Sequence, residues 1–425
     1  MKGNYLLADF IPVLSQGDYS RQIDRRENKV RPERVRMEQG NIVSVSWGDH
    51  LTFGEGDGRL ASPDMLQRRM ERWQDDLNAD KVYWRLTRTH IKGHYFAARG
   101  RRHPLRHQDR NLGWNFFQVV PHLAHSFKMK AYLYVSLFDE GWPLAPKRIR
   151  EKSYHNAMHF QHISWQSTFS RQNPQYVLTD RSGRQRQWGV LCLAYPEVRS
   201  HFCTRFTNLV QDTEFDGLFL CLRSQSRPAD FADQFGFNEP VRQDYLARYG
   251  RDIWTEDFDL QPWRDLLGKY LTTFLSELRH RLNRMGVRLA VGVPRSDVLG
   301  PPMGNSTLDW RNWVKGGIID ELVINQNSSQ CPSMWHRLWP MHRGYGYLQN
   351  YLEGFNIPPL LDHLNSAYEP VFRGRPVDLY VARQWELRSE EEENRLLRQR
   401  IVKGLVFSSF RFDNPGPLAR GDWTA

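Results

Sequence analysis

The sequence predicts an α/β protein that folds as a single (β/α)8 TIM barrel, with long loops after its strands and an irregular amino-terminal arm. Two observations predict this class. About eight apolar strand segments alternate with helical patterns over nearly all of the 425 residues. No glycine-rich dinucleotide fingerprint opens a helix, as a Rossmann-type sheet would require. A doubly wound open sheet is the alternative, and the extent of the alternation favours the barrel.

Short apolar runs between turn residues mark the strands, because a strand buried on both faces reads as a continuous hydrophobic run. The eight predicted strands are residues 43–47, 81–86, 131–137, 217–222, 287–293, 319–325, 377–382 and 404–410. The predicted helices are residues 62–77, 114–127, 197–213, 263–285 and 389–402. Ser62 before a proline and Ser389 before four glutamates are typical helix starts.

We expect two regions along the chain. Residues 1–38 form a polar, arginine-rich arm, and residues 39–425 form the barrel domain, with insertions after barrel strands 2, 3, 4 and 6. The long connections are residues 89–111, 139–189, 224–262 and 327–376. Each of them follows a strand, so they would crowd the carboxyl face of the barrel, where barrel enzymes carry their active sites.

Composition narrows the class of function. Fifteen tryptophans exceed what a core needs, and several are expected to line a cleft, since Trp stacks on sugars and bases. The net charge of +11 is clustered in residues 21–36, 99–110, 147–152 and 181–186. These clusters fit a solvated surface, an anionic polysaccharide or nonspecific nucleic-acid contact.

Several classes of site are excluded by the absence of their motifs. The four cysteines have no metal-type spacing, which excludes a disulfide scaffold and a CxxC zinc site. No HExxH, Gly-x-Ser-x-Gly or P-loop motif occurs, so metalloprotease, serine-hydrolase and phosphate-transfer chemistry have no support. We therefore expect no metal and no cofactor.

The amino terminus bears on localisation. Its short apolar run is interrupted by Asp9 and Pro12, and no small-residue cleavage site follows. We expect no signal peptide and no membrane span. The protein is predicted to be cytoplasmic if the sequence is complete, although an exported chain without its leader would look the same.

Charged and aromatic residues follow the carboxyl ends of the predicted strands. The candidate catalytic residues are Glu386, Asp139, Glu140 and Asp230. The candidate substrate-binding residues are Trp47, Asp49, His50, Arg85, Trp142, Arg223, Asp233, Asn325, Gln326 and Trp385. This combination of carboxylates, arginines, amides and tryptophans at the mouth of one barrel fits glycoside hydrolysis. That reaction needs one protonated and one ionised carboxyl group beside the scissile bond. Glu386 is the preferred acid because Trp385 would supply a sugar platform next to it.

Each candidate also has a structural interpretation that the sequence leaves open. Glu386 could be a salt-bridged loop acid, and Asp139 with Glu140 could simply begin a turn. Asp230 could cap a helix that contains Asp233. Arg223 could pair with a loop carboxylate.

Two short motifs resemble the glycosyl hydrolase-like 10 family of barrel proteins. They are Tyr195-Pro196-Glu197-Val198-Arg199 at a helix start and Glu214-Phe215-Asp216-Gly217 before a strand. Residues 235–238, 245 and 248–250 are similar to the insertion that follows this strand in the family, and residues 404–409 are similar to its last strand. The resemblance spans about residues 43–412 and implies a barrel with carbohydrate-related chemistry.

The chain departs from the family pattern at the end of the fourth barrel strand, where Cys221 replaces an acid. Asp216 matches the pattern, but at the amino end of the strand, where we expect a structural turn role. From the family's sixth strand only Gln326 carries over. Asp230 or Asp233 could substitute for the missing acid, or Glu386 could pair with Asp139 or Glu140. The protein could also bind sugar without cleaving it.

The sequence therefore predicts a glycoside hydrolase that acts on a polysaccharide or oligosaccharide, an anionic one being among the candidates. The alternative is a non-catalytic carbohydrate-binding barrel. A third hypothesis is a nucleic-acid-associated protein that acts through residues 21–36 and 99–110, although no nucleic-acid motif supports it. A carbohydrate is the expected partner, no membrane association is expected, and the oligomeric state stays open.

Overall fold

The computed structural model describes part of the chain. The described residues are 40–45, 62–86, 95–97, 114–138, 140, 165–224, 233–299, 303, 306–325, 358–383 and 390–408. The predicted boundary between the arm and the barrel domain stays a prediction, because the residues before 40 lie outside these ranges.

The described residues form twelve strands, eight of which make a closed parallel barrel. In chain order the strands are β1 Asn41–Val45, β2 Ala79–Arg85, β3 Tyr95–Ala97, β4 Lys130–Phe138, β5 Trp165–Ser167, β6 Val177–Thr179, β7 Arg186–Leu191, β8 Gly217–Ser224, β9 Arg288–Gly292, β10 Glu321–Ile324, β11 Asp378–Ala382 and β12 Val402–Ser408. Around the barrel the order is β1, β2, β4, β8, β9, β10, β11 and β12, and β12 pairs with β1 to close it. The predicted (β/α)8 fold is confirmed, and each end of a predicted strand lies within two residues of the observed one.

Helices connect the barrel strands, although the last predicted helix, residues 389–402, ends at Leu397 and Val402 already begins β12. They are α1 Pro63–Leu77, α2 Phe116–Ser126, α3 Thr168–Gln172, α4 Pro196–Val210, α5 Glu239–Tyr249, α6 Leu260–Asn283, α7 Trp310–Lys315, α8 Leu360–His363, α9 Glu369–Phe372 and α10 Glu390–Leu397. A five-residue π segment, Leu364–Tyr368, joins α8 to α9. The predicted cap of α1 is present, because Ser62 Oγ accepts a hydrogen bond from Met65 N at 3.2 Å. Within the described ranges, no helix is long and apolar enough to cross a membrane.

Strand alternation creates two separate cores. Successive side chains of a strand point to opposite faces, so β2 sends Val82 and Trp84 outward and Lys81, Tyr83 and Arg85 into the barrel. The outward side chains pack against the helices in one large core. The inward apolar set forms a barrel-interior cluster made of Ile42, Tyr83, Tyr132, Tyr134, Phe219, Cys221, Ala290, Val323, Tyr380, Ala382 and Val406.

The connection over residues 139–189, predicted only as a long loop, carries structure of its own. Strand β5 pairs with β3, and β6 pairs with β7, both antiparallel. Asn238, just before α5, ties the second pair to the insertion after β8. Its Oδ1 accepts from Thr179 N at 3.2 Å and its Nδ2 donates to Val177 O at 2.9 Å.

Candidate functional site

A fixed cation lies inside the barrel at its carboxyl end. Arg85 is the last residue of β2 and is only 6% exposed. Its Nη2 donates to Ser136 Oγ at 3.0 Å, and its Cζ lies 5.0 Å from the centroid of the Tyr134 ring, a cation–π distance. Ser136 and Tyr134 both belong to β4, the neighbouring strand. The guanidinium is therefore held in a defined position where a ligand entering the mouth would meet it.

Cys221 occupies the same level of the barrel interior. It is in register with Ser136 on β4 and with Gly292 on β9, and its side chain is buried in the barrel-interior cluster. A thiol, a hydroxyl and a guanidinium thus line this level. Within the ranges that the structure describes, no carboxylate faces the interior here.

Asn325 directly follows β10, and its side chain connects this strand to β11. Its backbone is left-handed, with φ of 62°, and its Nδ2 donates to Ala382 O at 3.1 Å. The amide thereby links the carboxyl ends of β10 and β11. Its predicted substrate-binding role stays a prediction, and so does that of Gln326, which lies outside the described residues.

Glu140 is enclosed on the helical side of the barrel. Its residue is fully buried, and Oε1 accepts from Arg205 Nη1 of α4 at 2.5 Å. Its backbone is also held, since Glu140 N donates to Gly189 O and Glu140 O accepts from Ser167 N. This geometry suits a brace that anchors the insertion to α4. The catalytic pair proposed below therefore omits Glu140.

Asp233 is likewise tied to an outer helix. Its carboxylate accepts from Arg264 of α6, with Nε at 3.1 Å and Nη2 at 2.5 Å, and its side chain is 8% exposed. Asp233 lies in a turn with a left-handed backbone, φ 61°. The interpretation in which Asp230 caps a helix containing Asp233 is wrong at Asp233, because left-handed backbone does not continue a helix.

The other predicted site residues fall outside what the structure describes. Arg223 lies within β8, two residues after Cys221, but its side chain is not described. The candidates outside the described residues are Glu386, Asp139, Asp230, Trp47, Asp49, His50, Trp142, Gln326 and Trp385. Their roles stay predictions. Elsewhere, the described His, Cys, Asp and Glu side chains form no group of three or more that could hold a metal ion.

A buried ionic network, which the sequence analysis missed, closes the opposite end of the barrel. Lys81 Nζ donates to both carboxylate oxygens of Glu321 at 2.8 Å. The hydroxyl of Tyr132 donates to Oε1 at 2.5 Å and that of Tyr83 to Oε2 at 3.1 Å. Arg288 Nε lies 3.3 Å from Oε1. We call these five residues the floor network.

The floor network keeps Glu321 ionised although it is only 1% exposed. Burial opposes ionisation, but the Lys81 ammonium and its hydrogen bonds outweigh that effect and lower the pKa of Glu321. Lys81 and Glu321 lie near the amino ends of their strands, the face associated with barrel stability rather than catalysis. No spacing motif could reveal them, since 240 residues separate the pair. A charged residue near the start of each of the two strands, Lys81 and Glu321, was the one available signal.

Two aspartates at the same face lock neighbouring strands. Asp216 Oδ2 accepts from Ala131 N at 2.8 Å, and Asp320 Oδ2 accepts from Leu289 N at 2.7 Å. Each aspartate precedes its own strand and captures an amide at the start of the strand before it in the barrel. The structural turn role expected for Asp216 agrees with this geometry.

The comparisons with known proteins give similarity of architecture at low identity. No family model matches the chain, and no curated protein matches it. The PgaB (BpsB) glycoside hydrolase domain from Bordetella bronchiseptica is 13% identical, with 89% of this chain and 96% of that one covered and a TM-score of 0.46. The catalytic domain of a β-amylase from Paenibacillus polymyxa is 11% identical, with 88% and 92% covered and a TM-score of 0.47.

A Group II chitinase catalytic domain from Ostrinia furnacalis is 11% identical, with 82% of this chain and 64% of that one covered and a TM-score of 0.36. All three TM-scores are below 0.5, so the barrel assignment rests on the strand pairing itself. The resemblance to the glycosyl hydrolase-like 10 family stays a prediction.

Proposed function

We propose that this barrel binds a polysaccharide or oligosaccharide at its carboxyl face and hydrolyses a glycosidic bond there. The observation that carries the proposal is the Arg85 guanidinium, held over Tyr134 and bonded to Ser136 at the carboxyl end of a closed parallel barrel. Barrel enzymes place their chemistry at this end. A fixed, nearly enclosed donor with several N–H groups suits a ligand rich in oxygen acceptors.

Glu386 is the proposed catalytic carboxyl group, with Asp139 or Asp230 as its partner. One of the two carboxyl groups would protonate the leaving oxygen. The other would act as nucleophile at a separation of about 5–5.5 Å, or as base toward water at about 6.5–9.5 Å. Trp47, Trp142 and Trp385 would stack on sugar rings. The residues proposed to form polar contacts with the sugar are Asp49, His50, Arg223, Asn325 and Gln326.

An anionic sugar is the substrate class that the Arg85 site favours. Its guanidinium forms the strongest bonds with carboxylate, sulfate or phosphate oxygens.

A second function, binding without cleavage, is favoured by Cys221. The thiol lies at the level of the mouth where the family-like pattern carries an acid, so this strand supplies no carboxyl group at that position for glycoside hydrolysis. In this alternative the protein binds the same saccharide ligand but does not hydrolyse it.

The test is hydrolysis of a panel of neutral and anionic polysaccharides by the wild type and by Glu386→Gln, read as new reducing ends. The expected result is release by the wild type and a drop of about 10²–10⁴-fold in kcat for the variant. Glu390→Gln, which makes the same charge change on exposed α10, is the matched control and should retain activity. Binding with no release by any form would establish the non-catalytic alternative. Equal activity of Glu386→Gln and wild type would remove Glu386 from the site.

A further inference from the structure

The insertion after β8 carries an aromatic residue on the carboxyl side of the barrel. β8 runs toward the carboxyl face, and α6 returns from that face to the start of β9. The chain between them, which includes α5 and residues 250–259, therefore lies on the carboxyl side. Trp254 is in this connection and is 39% exposed.

Trp254 is fixed although it is exposed. Its indole Nε1 donates to Phe237 O at 2.8 Å, and its backbone N donates to Asp252 Oδ1 at 3.0 Å. Its carbonyl oxygen accepts from Arg181 Nε, in the turn between β6 and β7, at 3.2 Å. The bond to Phe237 holds the indole itself, and the two main-chain bonds, one of them to the turn between β6 and β7, hold the backbone that carries it.

One side of the indole is supported by Arg242 of α5. The Arg242 Cζ lies 4.4 Å from the ring centroid, a cation–π distance. Arg242 is itself held by Asp252, with Nε–Oδ1 at 2.8 Å and Nη2–Oδ2 at 2.7 Å. The supporting guanidinium cannot easily leave, so the ring presents its remaining surface to solvent as a rigid plate.

Trp254 belongs to a concentration of exposed apolar side chains. Within the described residues, five large hydrophobic side chains are exposed, and four lie between residues 246 and 260: Leu246, Tyr249, Trp254 and Leu260. Charged groups share this segment, since Arg251 and Glu256 are 62% and 44% exposed at their side chains. A flat aromatic surface with a rim of hydrogen-bonding groups matches a sugar ring, which has apolar C–H faces and hydroxyl groups around its edge.

We propose that Trp254 is a saccharide-stacking platform, a subsite that takes one sugar ring of a polymer whose neighbouring units reach the barrel mouth. The proposal rests on the proposed function, because it assumes a saccharide ligand on the carboxyl face. The preset orientation of Trp254 explains its exposure: an indole that is already ordered loses little conformational entropy when a ring stacks on it.

The experiment is native affinity electrophoresis at 0.15 M salt in gels that contain soluble starch, glycol chitin, alginate or hyaluronan. The wild type, Trp254→Ala, Trp254→Phe and Arg85→Gln are compared by the dissociation constant from retardation. Trp254→Ala should weaken binding to the retarding polymer about tenfold, the effect of one lost stacking contact. Trp254→Phe should keep part of the affinity. Met285→Ala, which removes an exposed apolar side chain beyond the far end of α6, is the control and should bind like the wild type.

The outcomes separate the platform from the proposed function. If Arg85→Gln weakens retardation while both Trp254 variants bind like the wild type, the stacking role of Trp254 is wrong. Saccharide binding at the barrel mouth would then still be supported. If no polymer retards the wild type, the saccharide function fails and the platform with it. Light scattering is run in parallel. A lower molar mass for Trp254→Ala without a change in retardation would identify the surface as a contact between copies of the chain and overturn the proposal.

Discussion

Removing Lys81 should be one of the most damaging single substitutions in the barrel. Lys81→Met replaces the ammonium with an apolar group of similar length and leaves Glu321 without its main counter-ion. Glu321 is 1% exposed, so water cannot replace the lost partner. Two tyrosine hydroxyls and Arg288 would remain near the carboxylate.

The magnitude follows from the burial of both charges. Breaking a buried ion pair by removing one partner costs about 3–5 kcal/mol, because an uncompensated charge remains. Protein domains have total stabilities of about 5–15 kcal/mol, so this loss is a large share. Replacing both partners, in Lys81→Met/Glu321→Met, removes the orphaned charge but leaves the hydroxyls of Tyr83 and Tyr132 without their acceptor, at about 1–3 kcal/mol each. The double variant should therefore be less stable than the wild type, yet more stable than the sum of the two single losses implies, by about 2 kcal/mol or more.

The assay is urea unfolding at pH 7, followed by tryptophan fluorescence and far-ultraviolet circular dichroism. The four proteins of this double-mutant cycle are the wild type, Lys81→Met, Glu321→Met and the double variant. Arg395→Met, which breaks the exposed pair between Arg395 and Glu391 of α10, is the control and should leave the midpoint unchanged. A loss below about 1 kcal/mol for Lys81→Met, or strictly additive losses in the double variant, would refute the view that Lys81 and Glu321 form a coupled buried pair.

Two further predictions concern stability. The folded-state pKa of Glu321 lies below its unfolded-state value of about 4.3, so its contribution is complete above that pH and is lost as the pH falls through the folded-state value. The free energy of unfolding should therefore fall more steeply below pH ~4.5 in the wild type than in Glu321→Gln, and parallel pH profiles from urea titrations would contradict this. Gly268→Ala in α6 should destabilise the fold by about 1–3 kcal/mol although alanine favours helices, because the new Cβ would overlap the carbonyl oxygen of Thr307. Ser276→Ala, exposed on the same helix, is its control, and an unchanged unfolding midpoint for Gly268→Ala would show that the backbone at Thr307 moves to make room for the new Cβ.

The strands were predictable from the sequence because burial on both faces leaves a local signal. Continuous apolar runs such as residues 218–222 and 379–382 need no knowledge of the partner strand. The α5 helix carried no such signal, because it buries only Val241 and Tyr245 and therefore lacks a clear apolar period. Its existence depends on the neighbouring segments rather than on its own pattern.

The site was less predictable because pairing is a property of three-dimensional neighbours. The position of Arg85 at a strand end correctly placed it at the carboxyl end of the barrel. Glu140 also follows a strand directly, but its carboxylate turns to Arg205 of an outer helix. No feature of the sequence around Glu140 shows whether its side chain points into the barrel mouth or toward an outer helix. The direction is set by its partner Arg205, which lies 65 residues away in the sequence.

The floor network also determines how a ligand can travel. The amino end of the barrel is filled by four residues that are each at most 3% exposed, Tyr83, Tyr132, Lys81 and Glu321. The barrel interior is therefore closed at its amino end. A polymer cannot thread along the barrel axis, so a chain would have to lie across the mouth, and any fragment released there would leave through the opening by which it entered.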